Sequence, residues 1–228
     1  MATVLITGTS RGIGLAFTKQ YAQDGWQVIA CCRAPERALA LQTLAKTHNN
    51  IQLIDLDVAN FEQIDLVAAQ LKNTPIDVLI NNAGVYPESS LTDTDFKDWA
   101  TAFKINSMAP LRMTQAFLPN LVQGKQKKVA TLSSKMGSID DNTSGSEYIY
   151  RSSKVAVNMV MKSLSLDLAQ YKIAVVILHP GWVITDMGGP NGLIDAKTSV
   201  TGLRQVIENL SLENSGRFIG YNGQEVAW

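Results

Sequence analysis

Cysteine and histidine are nearly absent, with two of each among 228 residues. The histidines, His48 and His179, stand far apart, and no Cys/His cluster has metal-ligand spacing. A zinc or iron site is therefore excluded, and no metal is expected. The cysteines, Cys31 and Cys32, are adjacent. Neighbours in a strand point to opposite faces, so a disulfide between them is disfavoured. A reducing, cytoplasmic compartment is the simplest expectation. No apolar run approaches the roughly 18 residues that a membrane helix needs. The opening MATVLITG lacks a charged leader and runs straight into a glycine turn, so it does not read as a signal peptide. Neither charge sign is in excess, with 20 basic and 20 acidic residues. No nucleic acid and no anionic membrane is therefore expected as a partner. What remains is a small molecule held in a local site.

What is present is apolar sequence, 46% of the chain, in short runs that alternate with longer amphipathic ones. Strands are predicted at Thr3–Thr7, Gln27–Cys32, Ile51–Val58, Ile76–Asn81, Lys128–Ser133, Ile173–Leu178 and Arg217–Tyr221. Helices are predicted from Gly12 to about Asp24, after Pro35, after Val58, over Asp93–Leu121 with a bend at Pro110, over Ser146–Tyr171 and near Ser199–Leu210. The alternation implies right-handed crossovers and one α/β domain over residues 1–228, a mainly parallel sheet wound on both faces. Two irregular loops, Met136–Glu147 and Met187–Lys197, follow strand ends. Ligands bind beyond those ends, so the loops are expected to border the site.

The first strand leads into Thr7-Gly8-Thr9-Ser10-Arg11-Gly12-Ile13-Gly14. Gly8 permits a sharp turn, Gly12 lets backbone approach a pyrophosphate, and Gly14 brings the helix close to the sheet. The helix start offers free amides to an anion. This is the dinucleotide-binding turn of a Rossmann-like fold. A carboxylate ending the second strand would hold a free ribose hydroxyl and repel a 2′-phosphate. Here the strand ends Cys31-Cys32-Arg33, and Arg11 adds a second guanidinium. NADP(H) is therefore favoured over NAD(H).

The turn TGTSRGIG resembles the T-G-x-x-x-G-x-G motif of the short-chain dehydrogenases/reductases, and five further elements follow in family order. Asp57-Val58 resembles the adenine-contacting pair, and Asn81-Asn82-Ala83-Gly84 the N-N-A-G motif. Asn106 matches the helix asparagine of the catalytic tetrad, and Tyr150-Arg-Ser-Ser-Lys154 matches Y-x-x-x-K, with Ser134 upstream. Pro180-Gly181-Trp182-Val183-Ile184-Thr185 resembles the P-G-x-x-x-T segment. The segment PGWVITDMGGP, the ending SGRFIGYNGQEVAW and the long loop before Tyr150 are similar to the C-factor/sniffer-type carbonyl reductase subgroup. That subgroup includes carbonyl reductases and developmental signals.

The resemblance implies hydride transfer to a carbonyl, with Tyr150 as proton donor. An ordinary tyrosine has a pKa of about 10. Lys154, one helical turn on, is expected to lower it, and by resemblance to hold the nicotinamide ribose. Ser134, preferred over Ser133 on the family pattern, would stabilise the carbonyl oxygen. Asn106 would orient a relay water, while Thr185 and the backbone near Val183 would hold the carboxamide. The gap from Ser134 to Tyr150 is a few residues longer than the family's usual, and the surplus is expected to bulge at Ile139–Gly145. Asn82 reads equally as a structural knot between strands, His179 as a packed histidine, and Trp182 as pocket wall or core. The substrate implied is a small apolar aldehyde or ketone. Family members commonly form homodimers or homotetramers through the two long helices. The rival reading is a nucleotide-sensing signalling protein on the same fold, with little or no turnover; retention of both Tyr150 and Lys154 favours the enzyme.

Overall fold

The computed structural model describes all 228 residues. Strands β1 (Thr3–Thr7), β2 (Gln27–Cys32), β3 (Ile51–Asp55), β4 (Val78–Asn81), β5 (Lys128–Leu132), β6 (Ala174–His179) and β7 (Arg217–Gly220) form one sheet. Its order is β3-β2-β1-β4-β5-β6-β7, and every pairing is parallel. The helices are α1 (Gly12–Gln23), α2 (Leu39–Thr47), α3 (Phe61–Gln70), α4 (Phe96–Phe103), α5 (Ala109–Ala116), α6 (Leu118–Gln123), α7 (Tyr148–Asp167) and α8 (Ala196–Glu208).

Strand alternation divides the core in two. Leu5, Ile29, Leu79, Val129 and Val175 pack with residues of α3, α5 and α7 on one face. Val4, Ile6, Val28, Ile80 and Val176 pack with α1, α2 and α8 on the other. Both faces are covered, which is why β1 reads TVLIT and is buried throughout. Each such side chain contributes about 1.5–3 kcal/mol by leaving water. The buried Asp77 carboxylate ties the lower edge together by accepting from the main-chain N–H of Thr3, Lys125 and Gln126. Lys128 reaches across to the carbonyls of Ile207 and Glu208, at the C-terminal end of α8.

The predicted elements are present; other ends shift by one to three residues, and four of the boundary differences have local causes. β3 ends at Asp55 rather than Val58, because Leu56 makes the last bond to β2 and the chain then turns into α3. Pro35–Arg37 is a 3₁₀ turn, and α2 starts beyond it at Leu39. The long predicted helix over Asp93–Leu121 is three helices, with a π turn at Lys104–Met108 between α4 and α5. Pro110 opens α5 just after that turn, where its missing N–H does no harm. α7 starts at Tyr148, because Ser146 and Glu147 both adopt left-handed backbone at φ +55° and +53°. No helix is long and apolar enough to cross a membrane.

Candidate active site

Chain order reverses between β1 and β4, and a cleft of about 410 Å³ opens there beyond the strand C-termini. The turn from β1 to α1 forms one end. Gly8 turns at φ +71°, and its carbonyl oxygen lies 2.1 Å from where a β-carbon on Gly14 would sit, so α1 can pack here only with glycine. Arg11 occupies the helix N-cap without a capping hydrogen bond from its side chain, and the first turn carries no acidic residue. The helix amides are thus left for an anion, which fits the pyrophosphate of a dinucleotide. Ser10, Arg11, Gly12 and Ile13 line this end.

Arg33 follows β2 and is exposed beside the buried Cys32; both line the cleft with Asp57 and Val58. The Asp57 carboxylate accepts from the Ala59 N–H, which fixes the chain after β3. Asn82, Ala83 and Gly84 form the floor. Asn82 donates its amide to the carbonyls of Thr7 and Gly8, so the expected knot between strands is real.

At the other end Tyr150 and Lys154 project from α7, and both are buried. Lys154 Nζ donates to the Leu132 carbonyl at 2.9 Å and lies 5.6 Å from the centre of the Tyr150 ring. Burial pushes the lysine down to about 8. Burial also pushes the Tyr150 phenol up to about 12, against a lowering contribution from the Ser134 hydroxyl. The lowering expected from Lys154 is not found in the free protein: burial dominates, and the one opposing contribution comes from Ser134. Ser134 opposes Tyr150, whereas Ser133 turns inward and hydrogen-bonds Asn158 at 2.6 Å. The surplus length before Tyr150 does bulge outward, with residues 139 to 146 exposed.

Asn106 lies behind this wall, in the π turn. Its amide donates to the Val85 carbonyl and the Ser153 hydroxyl, and its Oδ1 accepts from the Val85 N–H. This side chain joins three segments. A π turn is a common device at functional sites. Pro180 and Thr185 line the cleft, while Gly181 and the buried Val183 support that segment from behind. His179 accepts from the Lys135 N–H and is held down to about 4, chiefly by burial and then by Lys135. It is a neutral anchor for the turn after Ser134. Trp182 is half exposed and donates to the Gly188 carbonyl, so it is not core.

Two residues escaped the sequence reading. Asp186 closes the cleft mouth with an exposed ion pair to Arg11 at 2.9 Å. Tyr86 lays its ring 4.3 Å from that of Tyr150, tilted by 51°. Tyr86 lies only two residues beyond the N-N-A-G motif, and that position is the one signal that could have found it.

Comparison with known proteins agrees with this geometry. The short chain dehydrogenase family model matches residues 2–193. The chain is 51% identical over 155 residues to the C-signal of Myxococcus xanthus, covering 68% of this chain and 93% of that protein. The carbonyl reductase Sniffer of D. melanogaster superimposes with a TM-score of 0.94 at 36% identity, each chain covered in full. The NADPH-bound carbonyl reductase from chicken fatty liver gives the same TM-score and identity, covering 100% of this chain and 99% of that one. The chain therefore belongs to the short-chain dehydrogenase/reductase family, as an oxidoreductase of the C-factor/sniffer type.

Proposed function

We propose that the protein reduces an apolar aldehyde or ketone to the alcohol, using NADPH in preference to NADH, with Tyr150 as proton donor. The observation that carries this reading is the burial of Tyr150 and Lys154 at one end of a cleft whose other end is an uncapped helix start, with Ser134 near the phenol. A bound NADPH supplies the hydride. The chain's own residues do the rest. The Ser134 hydroxyl donates to the substrate oxygen and holds it against Tyr150. The Tyr150 phenol gives its proton to that oxygen as the carbonyl carbon is reduced. Lys154, desolvated and close by, offsets charge on the phenolate that results. Asn106 keeps the π turn, the Val85 segment and α7 in register. Exposed Ile184 and Met187 offer an apolar lip to the substrate. A homodimer or homotetramer through α4, α5 and α7 accords with the exposed Phe96, Met159 and Leu166 on two of those helices.

Cofactor choice rests on Arg33 and Arg11, with no carboxylate ending β2. The chicken carbonyl reductase is bound to NADPH, which supports the same preference here. A charge-assisted hydrogen bond contributes about 1.5–3 kcal/mol. Arg33→Ala is therefore expected to raise the Kd for NADPH about tenfold or more and to leave NADH within about twofold. Calorimetric titration of both cofactors measures this; equal losses for the two would remove Arg33 from the preference.

A signalling role is the second reading, favoured by the 51% identity to the C-signal. NADPH and NADH consumption with benzaldehyde, acetophenone and benzil separates the two. Turnover with NADPH supports the reductase. Tight NADPH binding with no turnover on any of the three supports the sensor.

A further inference from the structure

The segment after the N-N-A-G motif and the start of α7 are clamped together at Ser89. Ser89 is buried, and its carbonyl accepts from the Glu147 N–H and the Ser146 hydroxyl, while its own hydroxyl accepts from the Ile149 N–H. The clamp holds Ser146 and Glu147 in left-handed backbone, one after the other, although neither is glycine. Such conformations persist only where the surroundings over-determine them, and they gather at functional sites. What the strain achieves is visible in the side chains. It brings Glu147 near Tyr86, where its charge helps to raise the Tyr86 phenol's pKa after burial, and it sets the Tyr86 ring against Tyr150. Glu147 Oε2 and Arg151 Nε are buried without hydrogen-bond partners.

We propose that Tyr86, beside the clamped Glu147, is a positioning residue that sets the plane in which the Tyr150 phenol presents its proton. This rests on the reading of Tyr150 as proton donor. A tilted aromatic pair at 4.3 Å lies within the favourable range and restricts rotation of the buried ring. Proton transfer is steep in geometry, so a loosened ring lowers kcat before it alters cofactor binding.

The test is steady-state kinetics on Tyr86→Leu, Tyr86→Phe, Glu147→Gln and Tyr150→Phe, using the best of the three carbonyls named above. Tyr86→Leu is expected to lower kcat about tenfold with the KM for NADPH unchanged. Tyr86→Phe keeps the ring and loses the hydroxyl, so it is expected to recover part of that loss. Glu147→Gln is expected to match Tyr86→Phe, and it carries the test if Tyr86→Leu folds poorly. Wild-type kcat in both Tyr86→Leu and Glu147→Gln overturns the proposal. So does a loss that appears in the KM for NADPH, or one of which Tyr86→Phe recovers nothing. Tyr150→Phe separates the two levels. If it is inactive while Tyr86→Leu and Glu147→Gln match wild type, only the positioning role falls. If Tyr150→Phe keeps wild-type turnover, the proton-donor reading falls and takes this one with it.

Discussion

Tyr150→Phe is expected to cut NADPH-dependent carbonyl reduction by about a hundredfold or more, with NADPH affinity within about threefold of wild type. The substitution removes one oxygen and leaves the ring, so packing against Tyr86 survives. What disappears is the only phenol buried in the cleft beside both Ser134 and Lys154. Burial holds that phenol at about 12 in the free protein, so it is fully protonated at neutral pH and ready to donate. Its high pKa also makes it a reluctant donor. The nearby lysine and serine then matter, because both favour the phenolate left behind. A conserved fluorescence titration with NADPH beside lost turnover locates the defect in proton delivery. Undiminished turnover in Tyr150→Phe would exclude Tyr150 as the donor and return attention to Ser134 and bulk water. Loss of NADPH binding along with turnover would instead make the tyrosine a cofactor ligand first.

The parts of this site that were legible in sequence share one property: their spacing is local. The glycine turn needs Gly8, Gly12 and Gly14 within one strand-to-helix step, and the Tyr150/Lys154 pair needs only one turn of one helix. The sheet was legible for a similar reason. A strand covered on both faces, such as Val28–Cys32, has to be apolar throughout. The parts that were not legible depend on contacts between distant segments. Nothing near Tyr86 announces Tyr150, and nothing near Arg11 announces Asp186. The π turn at Lys104–Met108 was hidden as well, because Pro110 draws attention to itself as the helix breaker. Its residues instead meet Ser153 and Val85 through Asn106 and Ser107, and that tertiary bonding accompanies the wider turn. The balance of forces on Tyr150 was equally out of reach. A lysine four residues away is visible in sequence, but the depth of burial that governs both groups is not.

Lys154→Met is expected to abolish turnover and yet to leave the cofactor-free protein at least as stable as wild type at pH 7. The reason is the cost of keeping an ammonium out of water with one carbonyl for a partner. The unfolded chain binds this proton with a pKa of 10.5, the folded protein with one of about 8. Below pH 8 both states are protonated, and the fold carries the whole penalty, roughly 3 kcal/mol at about 1.4 per tenfold difference in affinity. Between pH 8 and 10.5 the folded state sheds its proton first, so wild-type stability rises with pH over that window. Tyr150 works in the opposite sense and in a later window. Its folded pKa is raised to about 12, so its contribution is lost only as pH climbs beyond about 10. The difference between the two proteins isolates the lysine, because Tyr150 is common to both. Urea unfolding of wild type and Lys154→Met at intervals from pH 7 to 10 should therefore show wild type gaining up to roughly 3 kcal/mol on the variant. A flat difference across that range, with the variant several kcal/mol weaker throughout, would mean that Lys154 is a structural pin of the sheet. A rising difference beside lost turnover means that the fold tolerates a destabilising charge at the one place where reduction of a carbonyl needs it.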